Sequence, residues 1–281
     1  MMYKTILVVL DSKDRAEALM DLALPLADRH DAHLAGVHVM PADITASIGM
    51  FPAEIPAGFI EETHRLRQFE AEAIEAMFRE KARAAGATKT EWRCEQTLRP
   101  DNGRLLNRHA MCADLVIAGQ NPDADAGGDP MLADLVMGCG RPVLAVPYAG
   151  RFSQVGERVL VAWNGTREAA RAAFDAVPLM QAAHHVRILA IDPKRDRPAA
   201  GLASADDLVV ALARHGIPVE AATSYSADIS AGDDILSSLA DHGSDLLVMG
   251  CFGHSRVREM LFGGVTQHIL KHMTVPVLLS H

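Results

Sequence analysis

The residues best placed to do chemistry form a glycine-rich loop close to the end of the chain. An apolar run over residues 245–250 predicts a buried strand, and glycines follow at the spacing G-x2-G-x9-G. The loop residues of interest are Gly250, Gly253, Gly263, Gly264, Val265 and Thr266. Glycines let the backbone approach a ligand, and amides at a following helix start suit an anion. The loop is predicted to cradle a phosphate, although glycines after a strand also serve as simple turn formers.

The elements that must position this loop occur twice along the chain. The segment TILVVLDS (5–12) is echoed by RVLVAWNG (158–165), and ADLVIAG (113–119) by SDLLVMG (244–250). A third pair, RPVLAVP (141–147) and VPVLLS (275–280), closes each half. Three matches in the same order indicate two copies of one unit, over residues 1–150 and 151–281.

Within each copy, short strand patterns alternate with amphipathic helical patterns, which is typical of an α/β fold. Five strands and their connecting helices predict a doubly wound, five-stranded parallel sheet of order 3-2-1-4-5 in each half. Such a sheet binds ligands beyond the carboxyl ends of strands 1 and 4. That crevice contains Asp11 and Gly119 in the first half, and Asn164 and Gly250 in the second.

The longest helical pattern covers residues 59–85. We expect Ile60, Leu66, Phe69, Ala73 and Met77 to form its buried face, and Gly86 to end it. The preceding residues 41–58 are apolar and marked by prolines, and they suit either a lid, a partner surface or local packing.

Composition excludes several classes of protein. With 49% hydrophobic and 22% charged residues the chain is typical of a globular protein, and a net charge of −9 argues against nucleic-acid or membrane-surface partners. No apolar run reaches the length of a membrane span, and no signal-peptide pattern is present, so a cytoplasmic location is expected. The 4 cysteines and 13 histidines show no metal-site spacing, so no metal site is predicted, and buried, inert thiols are expected.

The loop spacing, the repeated doubly wound unit and the closing P-V-L strand together resemble the universal stress protein family, with two domains in tandem. The resemblance implies an adenine-nucleotide alpha-hydrolase-like fold and a role in the stress response. It also implies that the fifth strands, residues 142–146 and 275–279, meet in an intrachain pseudo-dimer. A further homodimer of the whole chain is compatible with it.

In ATP-binding members of that family the motif is G-x2-G-x9-G-[ST], and its end holds the phosphates. By position Gly250, Gly253 and Gly263 match, whereas Gly264 stands where those members have Ser or Thr. Thr266 falls on another hydroxyl position of the family segment. The implied cofactor is ATP, accompanied by Mg²⁺.

The adenine end of the family site falls on Asn164 and near Ala190 and Ile191. Asn164 can donate and accept hydrogen bonds and so could read a base edge. The same stretch also suits a plain turn in which Thr166 caps a helix.

The first half keeps Asp11 but lacks the glycine loop. Asp123, Asp125 and Asp129 occupy that region, and carboxylates would repel phosphates. We therefore expect a nucleotide cradle that is degenerate in the first domain.

Two functions from different classes follow. The main hypothesis is a regulatory, adenine-nucleotide-binding protein of the stress response, with its site in the second domain. No catalytic residue is assigned, because P-loop, nucleophile-elbow and kinase motifs are missing, and ATP hydrolysis would at most be slow. The alternative is a nucleotide-free scaffold of the same fold.

Overall fold

The computed structural model describes residues 2–40, 57–97, 102–121, 129–191, 203–225, 229–251 and 264–281. The strands are β1 (Thr5–Val9), β2 (His33–Met40), β3 (Thr90–Gln96), β4 (Leu115–Gly119), β5 (Val143–Val146), β6 (Arg158–Trp163), β7 (His185–Ile191), β8 (Val219–Ser224), β9 (Leu246–Gly250) and β10 (Val277–Ser280). The helices are α1 (Lys13–His30), α2 (Ala57–Ala84), α3 (Asn102–Ala110), α4 (Pro130–Gly138), α5 (Arg167–Asp175), α6 (Val177–Met180), α7 (Ala205–Ala213), α8 (Ala231–His242) and α9 (Gly264–His272).

All ten strands belong to one sheet of order β3-β2-β1-β4-β5-β10-β9-β6-β7-β8. Each half has the predicted order 3-2-1-4-5 with parallel neighbours, so the α/β fold with two tandem doubly wound units is confirmed. The halves join through the fifth strands, where β5 and β10 pair antiparallel with Leu278 opposite Leu144. The pairing of the fifth strands that the family resemblance implied is therefore present.

The core lies on both faces of this sheet, as expected for strands made almost entirely of Val, Ile and Leu. Alternate residues of β1 illustrate it: Ile6 and Val8 belong to one apolar cluster, and Leu7 and Val9 to the other. Both clusters continue across the β5–β10 joint into the second half. The two domains therefore share two continuous core layers.

The helical segment that follows β6 is divided into α5 and α6. Its break falls at Ala176, two residues before Pro178, which has no backbone N–H to continue the hydrogen-bond ladder. Thr166 caps α5, since its hydroxyl accepts a hydrogen bond from the Ala169 amide.

The predicted buried face of α2 was wrong for its two largest described members. Leu66 is 56% exposed and Phe69 is 72% exposed. The core face consists instead of Ala71, Ile74, Phe78 and Ala82, which repeat at equally good helical spacing. Phe78 packs onto Gly36, where an added Cβ would lie 2.7 Å from the Phe78 ring. Residues 41–56 of the proline-marked insertion and the side chain of Ile60 lie outside the described residues.

Candidate functional site

A cavity of about 340 Å³ lies at the carboxyl ends of β6, β7 and β9. The beginnings of α5, α8 and α9 also line it. This is the edge of the second half at which the strand order reverses, and doubly wound sheets bind ligands there. The cavity therefore lies at the sheet edge that the sequence analysis singled out for ligand binding.

One side of the cavity is an apolar slot. The side chains that form it come from three strands and from α8, and they are Ala162, Leu189, Ile191, Ile235 and Met249. Of these five residues, only Ile191 was picked out from the sequence. Two sequence signals could have found them. One is the alternation of side chains along β7, and the other is the apolar pair Ala231 and Ile235, four residues apart at the start of α8.

The first turn of α9 also lines the cavity, through Gly264, Val265 and Thr266. The first amides of a helix have no hydrogen-bond partner within that helix, and its N-terminus carries a partial positive charge. Thr266 is only 4% exposed, and its hydroxyl has no partner among the described residues. This part of the cavity can therefore accept an anion.

The predicted loop residues divide between described and undescribed parts of the chain. Gly250, Gly264, Val265 and Thr266 come together at the cavity. Gly253 and Gly263 lie outside the described residues.

Gly250 has a packing reason to be glycine that does not involve a ligand. A Cβ at this position would lie 2.4 Å from the backbone nitrogen of Ala169 and 2.4 Å from the carbonyl carbon of Glu168. The end of β9 can therefore approach the first turn of α5 only without a side chain. Gly264 differs, because a Cβ there would meet nothing within 4 Å.

Asn164 lines the cavity, and its side chain also organises the turn before α5. Its Oδ1 accepts hydrogen bonds from the Thr166 amide at 3.2 Å and from the Thr166 hydroxyl at 2.9 Å. Gly165 has a φ of +75°, which a glycine adopts easily. The turn and the Thr166 cap are therefore both present in the structure. The Nδ2 group of Asn164 makes no hydrogen bond within the described residues.

Ala190 is not among the residues that line the cavity. Leu189 and Ile191 point toward it, whereas Ala190, one residue from each, points to the other face of the sheet. Ala190 pairs in register with Trp163 and Thr223. Only its backbone could therefore border a ligand.

The corresponding crevice of the first half is arranged differently. Asp129 is 4% exposed and caps α4, accepting hydrogen bonds from the amides of Leu132 at 3.2 Å and Asn121 at 2.9 Å. Arg15 covers Gly119, and its guanidinium donates to the Val146 carbonyl at 3.3 Å. Desolvation by the surrounding protein raises the pKa of Asp11, and the nearby Arg15 opposes that rise. Asp123 and Asp125 lie outside the described residues.

The cysteine closest to the glycine loop is chemically quiet. Cys251 is buried, its thiol donates to the Ser280 carbonyl at 3.3 Å, and burial raises its pKa. A protonated, inaccessible thiol is a poor nucleophile. The expectation that all four thiols are buried was nevertheless wrong, because Cys94 and Cys112 are exposed on the surface of the first half.

Neither a metal-binding cluster nor a membrane-spanning helix occurs in the described parts of the chain. There, no group of three His, Cys, Asp or Glu side chains could hold a metal ion. His268 of α9 contacts Asp233 at 2.9 Å. No helix within the described ranges has both the length and the apolar character needed to cross a bilayer.

Comparisons with known proteins agree with the tandem architecture. The model of the Universal stress protein family matches residues 2–121 and again 156–281. A universal stress protein from Archaeoglobus fulgidus superimposes with a TM-score of 0.72 at 17% identity, covering 98% of this chain and 95% of that one. A functionally unknown protein, PA1789 from Pseudomonas aeruginosa, superimposes with a TM-score of 0.54 at 13% identity, covering 99% and 92%.

A sequence relative matches over a much shorter stretch. Universal stress protein Slr1230 from Synechocystis is 45% identical over 38 residues, which is 14% of this chain and 13% of that protein. The fold defines the class: a tandem, doubly wound α/β protein with a cavity at the edge where the strand order reverses. The chain belongs to the universal stress protein family.

Proposed function

We propose that the second domain binds an adenine nucleotide, ATP, in the cavity at the ends of β6, β7 and β9. The observation that carries the proposal is that one cavity joins an apolar slot to the N-terminus of α9. A flat apolar base suits the slot, and phosphates suit the helix terminus. Its volume of about 340 Å³ is in the range of small-molecule sites.

In this arrangement Gly250, Gly264, Val265 and Thr266 surround the phosphates, together with Gly253 and Gly263 from the family motif. Asn164 borders the base through its Nδ2 group, and Ala190 through its backbone. Mg²⁺ would arrive with ATP, bound to the phosphates.

The function we propose is regulatory, in the stress response of the cytoplasm. None of the described residues that line the cavity is an acid, a histidine, a lysine or an arginine. General acid–base catalysis needs such a group within hydrogen-bond reach of the reacting atoms. This lining supports binding, with hydrolysis that is slow at most.

We further propose that only the domain over residues 151–281 binds nucleotide. In the domain over residues 1–150, the Asp129 carboxylate already accepts hydrogen bonds at the start of α4. A phosphate there would face a fixed negative charge. The first domain is then structural.

A nucleotide-free scaffold is the second candidate function. Two residues of the family motif have local roles that need no ligand, because Gly250 packs on α5 and Asn164 organises a turn. Gly264 also lacks the hydroxyl that ATP-binding members supply at that position. These features favour a protein that acts through contacts with other proteins.

Calorimetric titration with ATP and Mg²⁺ separates the two candidates. We expect saturable binding at one site per chain, and adenine nucleotide released when the purified protein is denatured. Heat without saturation below about 1 mM, which corresponds to about 4 kcal/mol of binding free energy, together with no released nucleotide, would leave the scaffold as the function.

A pair of substitutions at Gly264 tests the phosphate end. Gly264→Ser places a hydroxyl where the added Cβ meets open space, so we expect ATP to bind more tightly. A hydrogen bond to a charged group contributes about 1.5–3 kcal/mol, or roughly ten- to a hundredfold in affinity. Gly264→Ala is the matched control, because it adds the Cβ without the hydroxyl and should not tighten binding. Equal affinities for the two variants would place the phosphates elsewhere.

A further inference from the structure

The first half of α2 carries large apolar side chains on its solvent face. Phe59 is 52% exposed, Leu66 is 56% exposed and Phe69 is 72% exposed. The helix has 28 residues, and its core face at Ala71, Ile74, Phe78 and Ala82 lies on another side. Exposed aromatic residues grouped on one helix face are a recognised mark of an interaction surface.

These side chains follow the seven-residue spacing of a helix–helix seam. Phe59, Leu66 and Ala73 are seven residues apart, and Phe69 and Ala76 form the companion series. This is the a/d pattern of a coiled coil, with Glu62 as its one charged member. Among the described residues, no helix covers this seam, because α1 and the sheet contact α2 on its core face.

We propose that two copies of this chain associate through antiparallel pairing of their α2 helices along this seam. With the twofold axis between residues 67 and 68, Leu66 of each copy packs against Phe69 of the other. Phe59 then meets Ala76, and Glu62 meets Ala73. The interface is isologous, as in most homodimers.

The flanking charges are complementary in the antiparallel arrangement. Arg65 and Glu72 flank the seam on the same side, and antiparallel helices bring equivalent flanks together. Each Arg65 therefore lies beside Glu72 of the other copy, twice by symmetry. Glu72 is exposed and forms no ion pair within the described residues, whereas Arg65 contacts Glu62 of its own helix at 2.6 Å.

Parallel pairing would be opposed at the seam. It would place Glu62 directly opposite Glu62 of the second copy, and like charges repel there. Parallel pairing would bring Arg65 beside Glu70 of the second copy instead of Glu72. The direction is therefore set by the Glu62 pair at the seam, and the Arg65–Glu72 pairing is specific to the antiparallel register.

Sedimentation equilibrium of the full chain, up to roughly millimolar concentration, tests the proposal. We expect a weak, reversible monomer–dimer equilibrium, because the apolar patch is small. Leu66→Glu should raise the dimer dissociation constant at least about tenfold, since it places two charges in the seam. Val210→Glu, at a site on α7 that is 51% exposed, is the matched control and should leave the constant unchanged.

A charge exchange tests the register. Arg65→Glu alone and Glu72→Arg alone should each weaken the dimer, and the double variant Arg65→Glu/Glu72→Arg should restore it. Circular dichroism checks that α2 stays helical in each variant. A chain that is monomeric throughout, a dimer that is insensitive to Leu66→Glu, or a double variant no better than the single ones would overturn the proposal.

Discussion

His30, at the end of α1, shows how burial controls charge in this protein. It is 3% exposed, and its ring meets the Tyr3 ring edge-on with centroids 4.9 Å apart. Its Nε2 atom is buried and has no hydrogen-bond partner among the residues that the structure describes. Burial, assisted by the positive charge of Arg29, lowers the pKa of His30 to about 4. The residue is therefore neutral in the folded protein near pH 7.

Because of His30, the free energy of unfolding should decrease as the pH is lowered. The folded pKa of about 4 lies below the ordinary value of 6.5, so the unfolded chain takes up the proton first as the pH drops. The contribution of His30 is complete above about pH 6.5 and is lost toward about pH 4. We expect a loss of about 2–3 kcal/mol between about pH 7 and pH 4.5, measured by urea unfolding.

His30→Phe is the control, because it keeps a ring against Tyr3 but cannot take up a proton. The pH dependence of its unfolding free energy should be flatter than that of the parent by the same amount. Parallel curves for the two proteins would mean that His30 does not carry the effect.

Single residues were predicted with uneven success. The spacing of the glycines singled out Gly250 and Gly264, but it did not predict that Gly250 is required by the backbone of α5 while a Cβ at Gly264 would meet open space. Those roles depend on which atoms of distant residues approach each glycine. The capping role of Thr166 was easier to predict, because a cap acts on an amide only three residues away.

At the level of elements, α4 and α9 occupy equivalent places in the two halves but begin differently. α4 begins after Asp129, whose carboxylate accepts from two backbone amides. α9 begins at Gly264, beside the cavity. The start of this helix is therefore capped by the protein's own carboxylate in the first half. In the second half it faces a cavity.

Removing the cap of α4 should destabilise the first half. Asp129→Ala loses both accepted hydrogen bonds, so we expect a loss of about 1–2 kcal/mol in the free energy of unfolding. Asp129→Asn keeps one acceptor oxygen and should lose less. The order Asp, Asn, Ala in urea midpoints checks this, and equal midpoints for Asn and Ala would contradict it.

The α2 helix shows where periodicity is insufficient. Two sets of positions, one with Leu66 and Phe69 and one with Ile74 and Phe78, both satisfy helical spacing. Hydrophobic size alone favoured the first set as well as the second. The choice was made by the partner surface, where Gly36 leaves room for the Phe78 ring.

At the level of the whole molecule, the two domains are joined by more than β5 and β10. Gln120, which is 6% exposed, follows β4 in the first half, and its Nε2 donates to the Leu270 carbonyl of α9 at 2.6 Å. Its Oε1 accepts from the Tyr148 amide at 3.0 Å. One buried side chain thus links the crevice of the first domain to the helix that begins at the cavity of the second.

Replacing Gln120 should weaken the joint between the domains. Gln120→Leu leaves the buried Leu270 carbonyl without this partner, at a cost of about 1–3 kcal/mol, and removes the acceptor of the part-buried Tyr148 amide. We expect thermal unfolding at a clearly lower temperature, still in one transition because the core layers are shared. Gln96→Leu, at an exposed position of β3, is the control and should change stability by less than about 0.5 kcal/mol.

Repetition and strand patterns in the chain were enough to establish a tandem α/β architecture, its strand order and the edge where a ligand could bind. These features arise from local periodicity and from general rules of chain connection, which a linear sequence displays directly. The face of α2 that enters the core and the Gln120 bridge became visible only in three dimensions. Each depends on contacts between residues far apart in the chain, and such contacts leave no periodic trace in it.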